Sequence, residues 1–331
     1  MTPLTFKALR LLADGHFHSG AQIARRLDRS RAAVSDTLKG AGDLGVEVFS
    51  VPGKGYRLAA PIEFLDAHAI VSALGPAAAR VRLMLLDEVD STSTRLASLA
   101  QAGSPSGTCV AAEWQRAGRG RRGRSWQAGL GSSLTFSLLW RFEQGAGHLA
   151  GLSLAVAVAA ARALEAAGVT GVGLKWPNDL VHDWKKLGGI LVESTGDMLG
   201  PTTAIVGVGL NYRLGAPVAA RIDQPATDLA SVCVPLPSRN ALLAGLLAEL
   251  TAALGQFGRD GFAAFREDWR TRHAYAGRRV QVLAADQPAR AAEVIDVAED
   301  GALLVAIAGR NERLTSAEIS LRPLPESGSG S

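Results

Sequence analysis

Five arginines and three glycines are concentrated in one short stretch without helical or strand periodicity, residues 113–126. Glycine can adopt backbone angles that are closed to other residues, and its bare N–H group can approach an anion closely. Arginine adds a permanent charge and a planar fork of donors that matches phosphate geometry. The stretch therefore predicts a loop that closes over a phosphate group, although a solvated basic surface loop would have the same composition.

Gly118, Gly120 and Gly123 also match the spacing of a dinucleotide-binding fingerprint. That fingerprint requires a helix to begin at the glycines. Residues 127–133 contain two further glycines, and residues 134–140 alternate like a strand, so no helix is predicted there. A nicotinamide-type site is therefore set aside.

Three other segments place polar side chains where predicted strands end. A hydroxyl-rich run at 91–94 follows a strand predicted at 81–86, and Pro177 excludes a central strand at 175–179. Strands are predicted at 185–193, which contains paired glycines, and at 204–210, an apolar run that leads into Asn211. These groups would meet in one pocket at one edge of a sheet. Helix capping or turn formation would explain each of them singly.

The first 60 residues predict a winged helix-turn-helix. Apolar spacing indicates helices at 4–13, from Ser19 and from Arg31, and after Gly45 the pattern alternates around a turn at 52–55, as in a two-stranded wing. The third helix and the wing would present polar and basic side chains to DNA. These are Arg29, Ser30, Arg31, Ser35, Lys39 and Lys54. A helical domain that binds only protein is the alternative.

Composition shifts divide the rest of the chain. We predict a linker at 61–80 with a short helix at 63–74, a central domain at 81–274, a small β domain at 275–323 and a flexible tail at 324–331. Central helices are predicted at 149–168, 238–257 and 261–273. The β domain should contain short strands at 280–282, 291–297, 303–307 and 318–321, with turns at 300–301 and 309–311.

Charge and cysteine usage limit the class of protein. The 331 residues carry a formal net charge of +4, and residues 1–60 alone hold that excess, as a nucleic-acid-binding face requires. Cys109 and Cys233 show no disulfide or zinc spacing, which favours a reducing cytoplasm. The N-terminus has no apolar secretory segment, and Arg162 and Glu165 interrupt the most apolar helix, so no membrane association is expected.

Four motifs, in this order, resemble the biotin protein ligases that double as biotin operon repressors. They are Gly-Arg-Gly-Arg-Arg-Gly-Arg at 118–124 with Trp126, Lys-Trp-Pro-Asn-Asp at 175–179, Lys-Leu-Gly-Gly-Ile at 186–190 and Gly-Leu-Asn at 209–211. The resemblance covers almost the entire chain. It implies an α+β fold: an N-terminal winged helix-turn-helix, a central mixed-sheet biotin/lipoate-ligase-like catalytic domain and a small C-terminal β-barrel-like domain.

The resemblance also implies an activity. Biotin and ATP with Mg²⁺ would give biotinyl-5′-AMP, which serves both as intermediate and as co-repressor. A lysine of a biotin carboxyl carrier protein of acetyl-CoA carboxylase would then accept the biotinyl group. With the adenylate bound, a homodimer would bind operator DNA and repress biotin genes.

Site residues follow from the same resemblance. The catalytic residues it implies are Lys186, Arg119, Arg121 and Asp179. The biotin-binding residues it implies are Ser91, Thr92, Ser93, Gln115, Gly118, Arg119, Gly120, Arg121, Lys186, Gly188 and Gly189. The nucleotide-binding residues it implies are Arg121, Trp126, Asn178 and Asn211. No dedicated cluster of metal ligands is expected.

Two departures and two alternatives accompany the resemblance. Ser93 stands where the family usually has Asn, so one hydrogen bond to the ureido ring would be lost or passed to water, and Gly188 replaces the usual small residue. A transcription factor that only senses biotin would form no adenylate. A related lipoate-transfer enzyme would share the central fold but lack the winged helix.

Overall fold

The protein is described from a computed structural model, which covers residues 2–284, 288–315 and 319–323. Its α-helices are α1 (Pro3–Leu11), α2 (Gly20–Leu27), α3 (Arg31–Lys39), α4 (Ala67–Leu74), α5 (Thr92–Gln101), α6 (Leu152–Ala166), α7 (Ala216–Ala219), α8 (Leu229–Val232), α9 (Arg239–Asp260) and α10 (Ala263–Thr271). Its strands are β1 (Val48–Val51), β2 (Gly55–Leu58), β3 (Arg82–Val89), β4 (Thr108–Gln115), β5 (Ser133–Phe142), β6 (Gly173–Lys175), β7 (Asp179–His182), β8 (Lys185–Gly196), β9 (Thr202–Asn211), β10 (Arg279–Ala284), β11 (Arg290–Val297), β12 (Leu303–Ile307), β13 (Arg310–Leu314) and β14 (Ile319–Pro323).

The N-terminal helices and wing form the predicted winged helix-turn-helix. Ser19 and Ser30 cap α2 and α3 by accepting hydrogen bonds from backbone N–H groups three residues later. Asp28, in a left-handed conformation with φ of 51°, ends α2. β1 and β2 pair antiparallel across the turn at 52–55, which confirms the wing.

The winged domain packs directly on the central domain. Leu130 of the central domain is buried in the apolar cluster formed by α1, α2 and α3, and its N–H donates to the Leu44 carbonyl at 2.8 Å. Arg10 of α1 pairs with Asp87 of β3 at 2.5 Å. The segment just after the arginine-rich loop is therefore part of the interdomain contact.

Residues 61–80 are folded onto the central domain and do not form an open linker. Glu63 accepts hydrogen bonds from the Ser238 hydroxyl at 2.5 Å and from the Arg239 N–H at 2.7 Å. Burial alone would raise the pKa of Glu63, but these hydrogen bonds outweigh it and lower the pKa. Arg239 also pairs with Glu113 at 2.9 Å, and both side chains are almost completely buried. This buried ion pair fixes the connection because breaking it would leave an uncompensated charge.

A mixed sheet of seven strands, in the order β3-β4-β5-β9-β8-β7-β6, forms the central domain. β3 and β4 are parallel, and the other neighbours are antiparallel. α6 and α9 pack in the large apolar core on one face, and α5 covers part of the other face. Among the described helices only α9 is long and apolar enough to cross a membrane; its buried side chains lie in this core, as those of α6 do.

The C-terminal domain is a five-stranded antiparallel sheet in the order β13-β12-β11-β10-β14. In the described residues β13 and β14 are its two edges. The turn predicted at 309–311 lies one residue earlier: Ala308 and Gly309 have φ of 48° and 77°, and Arg310 and Asn311 already pair in β13. Glu318 and the predicted tail at 324–331 lie outside the described residues.

Candidate active site

A cavity of about 420 Å³ lies on the α5 side of the central sheet. It crosses four adjacent strands, because side chains of one face meet in rows across the paired strands. The sequence had suggested a pocket at one edge of the sheet, and the structure differs in this respect. Glycines leave room in these rows: a Cβ on Gly207 would lie 2.9 Å from Ser93 Oγ, and one on Gly209 would lie 2.7 Å from the Trp126 ring. The rows are Thr135, Gly209, Gly189 and Asp179, and Ser137, Gly207 and Leu191.

The cavity brings together most of the residues predicted for the site. These are Ser91, Thr92, Ser93, Gln115, Arg119, Gly120, Arg121, Trp126, Asn178, Asp179, Lys186, Gly189 and Asn211. Two predicted residues do not line it. A Cβ on Gly188 would meet Leu210 at 2.5 Å on the core side, because successive strand residues point to opposite faces. Gly118 lies instead against the backbone carbonyl of Trp126.

Hydroxyl and amide groups form a neutral polar wall. Gln115 Oε1 accepts hydrogen bonds from the Thr92 N–H at 2.8 Å and the Thr92 hydroxyl at 3.1 Å, which leaves the Gln115 amide NH₂ as a donor. Ser137 Oγ lies 2.8 Å from Thr92 Oγ1 and 3.0 Å from Ser93 Oγ. Ser91 caps α5, and Ser91, Thr92 and Ser93 all line the cavity.

An ion pair between Lys186 and Asp179 lies on the opposite side of the cavity. Lys186 Nζ is 2.7 Å from Asp179 Oδ1, and the two side chains are only 20% and 14% exposed. Gly189 leaves space for this pair, since a Cβ there would lie 3.2 Å from Lys186 Nζ. The Lys186 ammonium also lies 5.9 Å from the centre of the Trp126 ring. This cation is thus held at a fixed place in the cavity wall.

The arginine-rich loop closes over the cavity. Its ends are joined by hydrogen bonds from the Gly120 N–H to the Arg124 carbonyl at 2.7 Å and from the Trp126 N–H to the Gly118 carbonyl at 2.8 Å. A short 3₁₀ turn at Arg121–Gly123 forms its tip, with left-handed backbone at Arg122, φ of 58°.

Arg119 and Arg121 of the loop contact side chains of the region from β6 to β8. Arg119 pairs with Glu193 at 2.7 Å, and Arg121 donates to Asn178 Oδ1 at 3.3 Å. Burial lowers the pKa of the Arg121 guanidinium, and the neighbouring loop arginines lower it further, while Asp179 opposes the shift. An anionic ligand would therefore stabilise the charged form of this guanidinium.

Lys175 is a cavity residue that sequence reasoning missed, although it begins the Lys-Trp-Pro-Asn-Asp motif. Burial lowers the pKa of its ammonium, and Asp179 partly opposes the shift. A cis bond between Trp176 and Pro177 turns the chain between β6 and β7, and the Trp176 ring is buried in the core. The motif therefore places a buried cation, an amide and a carboxylate around one turn.

A covering segment at 221–226 and the last described strand complete the cavity wall. The Lys186 N–H donates to the Pro225 carbonyl at 2.9 Å, and Arg322 donates to Gln224 Oε1 at 3.3 Å. Asn211 Nδ2 donates to the Lys186 and Thr227 carbonyls at 3.1 and 3.0 Å, so its amide ties β9 to this segment. No sequence signal marked the segment, because it has neither periodicity nor a motif.

Carboxylates are few in the cavity wall. Asp179 and Asp223 line it, and no group of three His, Cys, Asp or Glu side chains in the described ranges could hold a metal ion. Cationic side chains outnumber carboxylates in the cavity wall. They are Arg119, Arg121, Arg122, Arg124, Lys175, Lys186 and Arg221. The cavity suits a ligand with both an anionic part and a neutral polar part.

The six residues predicted to contact DNA belong to the turn between α2 and α3, to α3 with its N-cap, and to the wing. Five are exposed and Ser35 is half-buried. The Ser30 hydroxyl accepts the capping hydrogen bond of α3, and Lys39 pairs with Asp36. Arg57 was not predicted: its guanidinium lies between the Phe17 and Phe49 rings, at 5.1 and 5.2 Å from their centres.

Comparison with known proteins gives consistent matches along the chain. A model of the biotin/lipoate A/B protein ligase family matches residues 85–211, and a model of an HTH domain matches residues 5–57. The bifunctional ligase/repressor BirA of Salmonella typhimurium is 38% identical over 325 residues, covering 97% of both chains. BirA of Escherichia coli is 37% identical, covering 96% of both.

A solved structure is similar over much of the chain. The biotin protein ligase from Aquifex aeolicus in complex with biotin and ATP has a TM-score of 0.63 and 28% identity. The match covers 73% of this chain and 99% of that chain.

Proposed function

Because this chain belongs to the family of bifunctional biotin ligase/repressors, we propose roles for its own residues in that family's two activities. The chain is an ATP-dependent ligase that makes biotinyl-5′-AMP and transfers the biotinyl group to a lysine of a biotin carboxyl carrier protein. It is also a winged-helix repressor. The observation that supports these roles best is a single cavity in which Lys186, Arg121 and Lys175 face a neutral wall of hydroxyls and amides.

The first half-reaction joins two anions. The biotin carboxylate attacks the α-phosphorus of ATP, the bond to the β-phosphate oxygen breaks, and pyrophosphate leaves. Magnesium bound to the ATP phosphates supplies positive charge. Lys186, fixed 2.7 Å from Asp179, is assigned to the carboxylate and α-phosphate oxygens, and the loop guanidiniums of Arg119 and Arg121 to the adenylate. Such fixed cations stabilise a transition state without having to reorganise.

Neutral donors and acceptors are assigned to the ureido ring of biotin. Thr92, Gln115 and Ser93 offer hydroxyl and amide groups whose orientations are set by hydrogen bonds: Gln115 accepts from Thr92, and the Thr92 and Ser93 hydroxyls both contact Ser137. Ser137 is thus proposed as a supporting residue that replaces part of what the usual Asn would provide. Gly207 and Gly209 leave room for the bicycle.

The second half-reaction needs an open rim. The carrier lysine attacks the acyl carbonyl, loses a proton, and AMP leaves with the bonding electrons of the anhydride oxygen. Asp179 lies beside Lys186 and is assigned to holding that cation in place through both steps. Asn178 links Arg121 to β8, since it accepts from Arg121 and donates to the Ile190 carbonyl at 2.7 Å. Trp126 packs under the loop against Gly209.

Replacing Lys186 by Ala tests the assignment of the first step. Rapid-quench measurement of biotinyl-5′-AMP should give a rate lower by roughly 10²-fold or more, because a cation aimed at developing charge is removed. The matched control is Lys185→Ala, which removes the adjacent, exposed lysine and should leave the rate unchanged. Equal rates for wild type and Lys186→Ala would remove Lys186 from the reaction.

The finer partners and the compartment are proposals of the same kind. We assign Arg29, Ser30, Arg31, Ser35, Lys39 and Lys54 to operator DNA, with α3 in the major groove. The liganded repressor is a homodimer, since one winged helix contacts too few base pairs for tight binding unaided. The cytoplasm is the proposed compartment, and the buried free thiols of Cys109 and Cys233 support it.

A further inference from the structure

A lysine, a tyrosine and a tryptophan from three separate segments form one chain of contacts beside the cavity. The Lys175 ammonium at the end of β6 lies 5.6 Å from the centre of the Tyr275 ring. That ring centre lies 5.1 Å from the ring centre of Trp184, at the tip of the β7–β8 hairpin. Lys175 lines the cavity, Tyr275 is buried, and Trp184 is 43% exposed. The contacts therefore run from the surface to the cavity wall.

Backbone hydrogen bonds place Tyr275 beside the end of β6. The residues just before it continue the sheet past this edge strand: the Leu174 N–H donates to the Arg272 carbonyl at 2.7 Å, and the Ala274 N–H donates to the Leu174 carbonyl at 2.9 Å. Gly173 permits the close approach, since a Cβ there would lie 3.1 Å from the Ala274 Cβ. The position of the Tyr275 ring is thus set by the backbone of the sheet edge.

Trp184 covers the other side of this ring from an unfavourable backbone conformation. His182 pairs with Lys185, so Asp183 and Trp184 form a two-residue turn with φ of 45° and 65°. Turns with two left-handed residues favour Asn, Asp or Gly, and a bulky side chain there is strained. Such a conformation persists only where the surroundings hold it. The contact with Tyr275 supplies that restraint, so the hairpin tip and the ring hold each other in place.

Lys175 is a buried cation among other cations. Burial lowers the pKa of its ammonium, and Asp179 opposes the shift. Three further charged groups face it and lower the pKa again: Arg322, Lys186 and Arg124. Asp179 also pairs with Lys186 at 2.7 Å, so one carboxylate is shared between two ammonium groups.

The Tyr275 ring adds an attraction that this shared carboxylate does not supply. The face of an aromatic ring attracts a cation, and the attraction is stronger where water is excluded. Burial raises the pKa of the Tyr275 hydroxyl, so the ring stays neutral over the range in which Lys175 titrates. The ring therefore stabilises the charged form of Lys175.

The order of the strands indicates which part of the substrates lies beside Lys175. The neutral wall of hydroxyls and amides stands on α5 and β4, Lys186 is on β8, and Lys175 is on β6, two strands beyond β8. With biotin at the neutral wall and the α-phosphate at Lys186, the rest of ATP extends towards Lys175. A nucleoside is neutral, whereas the β- and γ-phosphates are anionic, so the cations at this end favour the phosphates.

We propose that Tyr275 and Trp184 are positioning residues that hold the charged Lys175 ammonium against the β- and γ-phosphates of ATP during adenylate formation. The inference rests on the proposed function, in which pyrophosphate leaves. As the bond from the α-phosphorus to the bridging oxygen breaks, its electron pair stays on that oxygen of pyrophosphate. A fixed ammonium beside the leaving group stabilises this charge, and Lys175 keeps its proton throughout.

Replacing Lys175 tests the phosphate assignment with the full chain. Lys175→Met removes the charge and should raise the KM for MgATP roughly tenfold or more, as expected for loss of a contact to a charged group, while the KM for biotin stays at the wild-type value. The matched control is Lys185→Ala, which removes an exposed lysine from the same hairpin and should leave both constants unchanged.

The pH dependence of kcat/KM for MgATP tests the positioning role. In the wild type it should fall on the alkaline side as Lys175 loses its charge, with a midpoint below the ordinary lysine value of about 10.4. Lys175→Arg stays charged over the whole range, so the alkaline fall should disappear whatever its absolute rate.

Removing the ring should move this midpoint. Tyr275→Leu abolishes the attraction for the charged form, so the pKa of Lys175 falls and the midpoint should move to lower pH by roughly half a unit to one unit. Tyr275→Phe keeps the ring and should restore the wild-type midpoint. Trp184→Asn fits the left-handed turn but releases Tyr275, so it should give a smaller shift in the same direction.

Distinct outcomes overturn the proposal. An alkaline fall that persists in Lys175→Arg would assign the titration to another group. A Tyr275→Leu variant with a lower rate at every pH and an unchanged midpoint would make the ring a structural contact only. An unchanged KM for MgATP in Lys175→Met would remove Lys175 from the phosphates. A wild-type protein that forms no adenylate at any pH would instead refute the proposed function.

Discussion

His273 lies between α10 and the C-terminal sheet, and burial lowers its pKa to about 4 from 6.5, with Asp296 partly opposing the shift. Its ring centre lies 4.3 Å from that of Trp269, and its buried Nε2 has no hydrogen-bond partner among the described residues. The folded protein keeps this ring neutral between those two pH values, whereas the unfolded chain binds a proton. Stability should therefore fall as pH decreases from about 6.5 towards 4.

The variant His273→Phe should remove this dependence. Denaturant unfolding at about pH 7.5 and about pH 5 should show the wild type losing roughly 2 kcal/mol more than the variant. A difference near zero would mean that the ring is protonated or hydrated in the folded protein. Other titrating groups contribute equally to both proteins, so the comparison isolates His273.

At the residue scale, the sequence predicts which charged residues line the cavity better than it predicts which face of a strand a residue occupies. Lys186 and Arg121 were expected at the cavity because their motifs are unusual, and both line it. Gly188 does not line it, since two adjacent glycines do not reveal which one faces the cavity, and the strand phase that decides this is set by neighbouring strands. Ser137 gave no signal, because one serine inside an apolar strand looks like ordinary variation.

At the element scale, the arginine-rich loop combines like charges and glycines, which favour disorder when no anion is present. We predict rapid trypsin cleavage between Arg116 and Arg124 in the free protein and slow cleavage with biotinyl-5′-AMP. Intact-fragment mass spectrometry gives the rates. Cleavage after Arg310, exposed beside the β12–β13 turn, serves as the internal control and should not change. Equal loop cleavage in both states would rule out a closing lid.

Elements with a capping residue or strict periodicity were predicted well, and edge strands were not. Ser19, Ser30 and Ser238 mark the helix starts that the structure shows. β13 was missed because its sequence, Arg-Asn-Glu-Arg-Leu, is nearly all polar, and at a sheet edge hydrogen bonding to β12 compensates for weak strand propensity. The contacts of residues 61–80 gave no signal for a similar reason: their partners, Glu113 and Arg239, are distant in sequence.

At the scale of the whole molecule, ligand and DNA binding should be coupled through dimerisation. Adenylate binding would order the cavity loops and favour a two-fold contact between catalytic domains, which places two winged helices on one palindromic operator. Sedimentation equilibrium and gel shift should therefore respond over the same range of biotinyl-5′-AMP concentration. Tighter operator binding with no change in the monomer–dimer equilibrium would contradict this coupling.

The control for that experiment should be a point variant. Deleting residues 1–60 would expose Leu130, which is buried in the winged-domain core, and would disturb the segment that follows the arginine-rich loop. Arg31→Glu changes only an exposed residue at the start of α3. It should abolish the gel shift through repulsion from phosphate while adenylate-dependent dimerisation remains.

The central claim is that this one cavity makes biotinyl-5′-AMP and passes the biotinyl group to a carrier lysine. Mass spectrometry of a biotin carboxyl carrier domain, after incubation with the full chain, biotin and MgATP, tests it most directly. The account predicts a carrier heavier by one biotinyl group, with the modification on a single lysine, and no gain when ATP is omitted. An unmodified carrier, together with operator binding that responds to biotin in the absence of ATP, would contradict the claim and describe a biotin-sensing transcription factor.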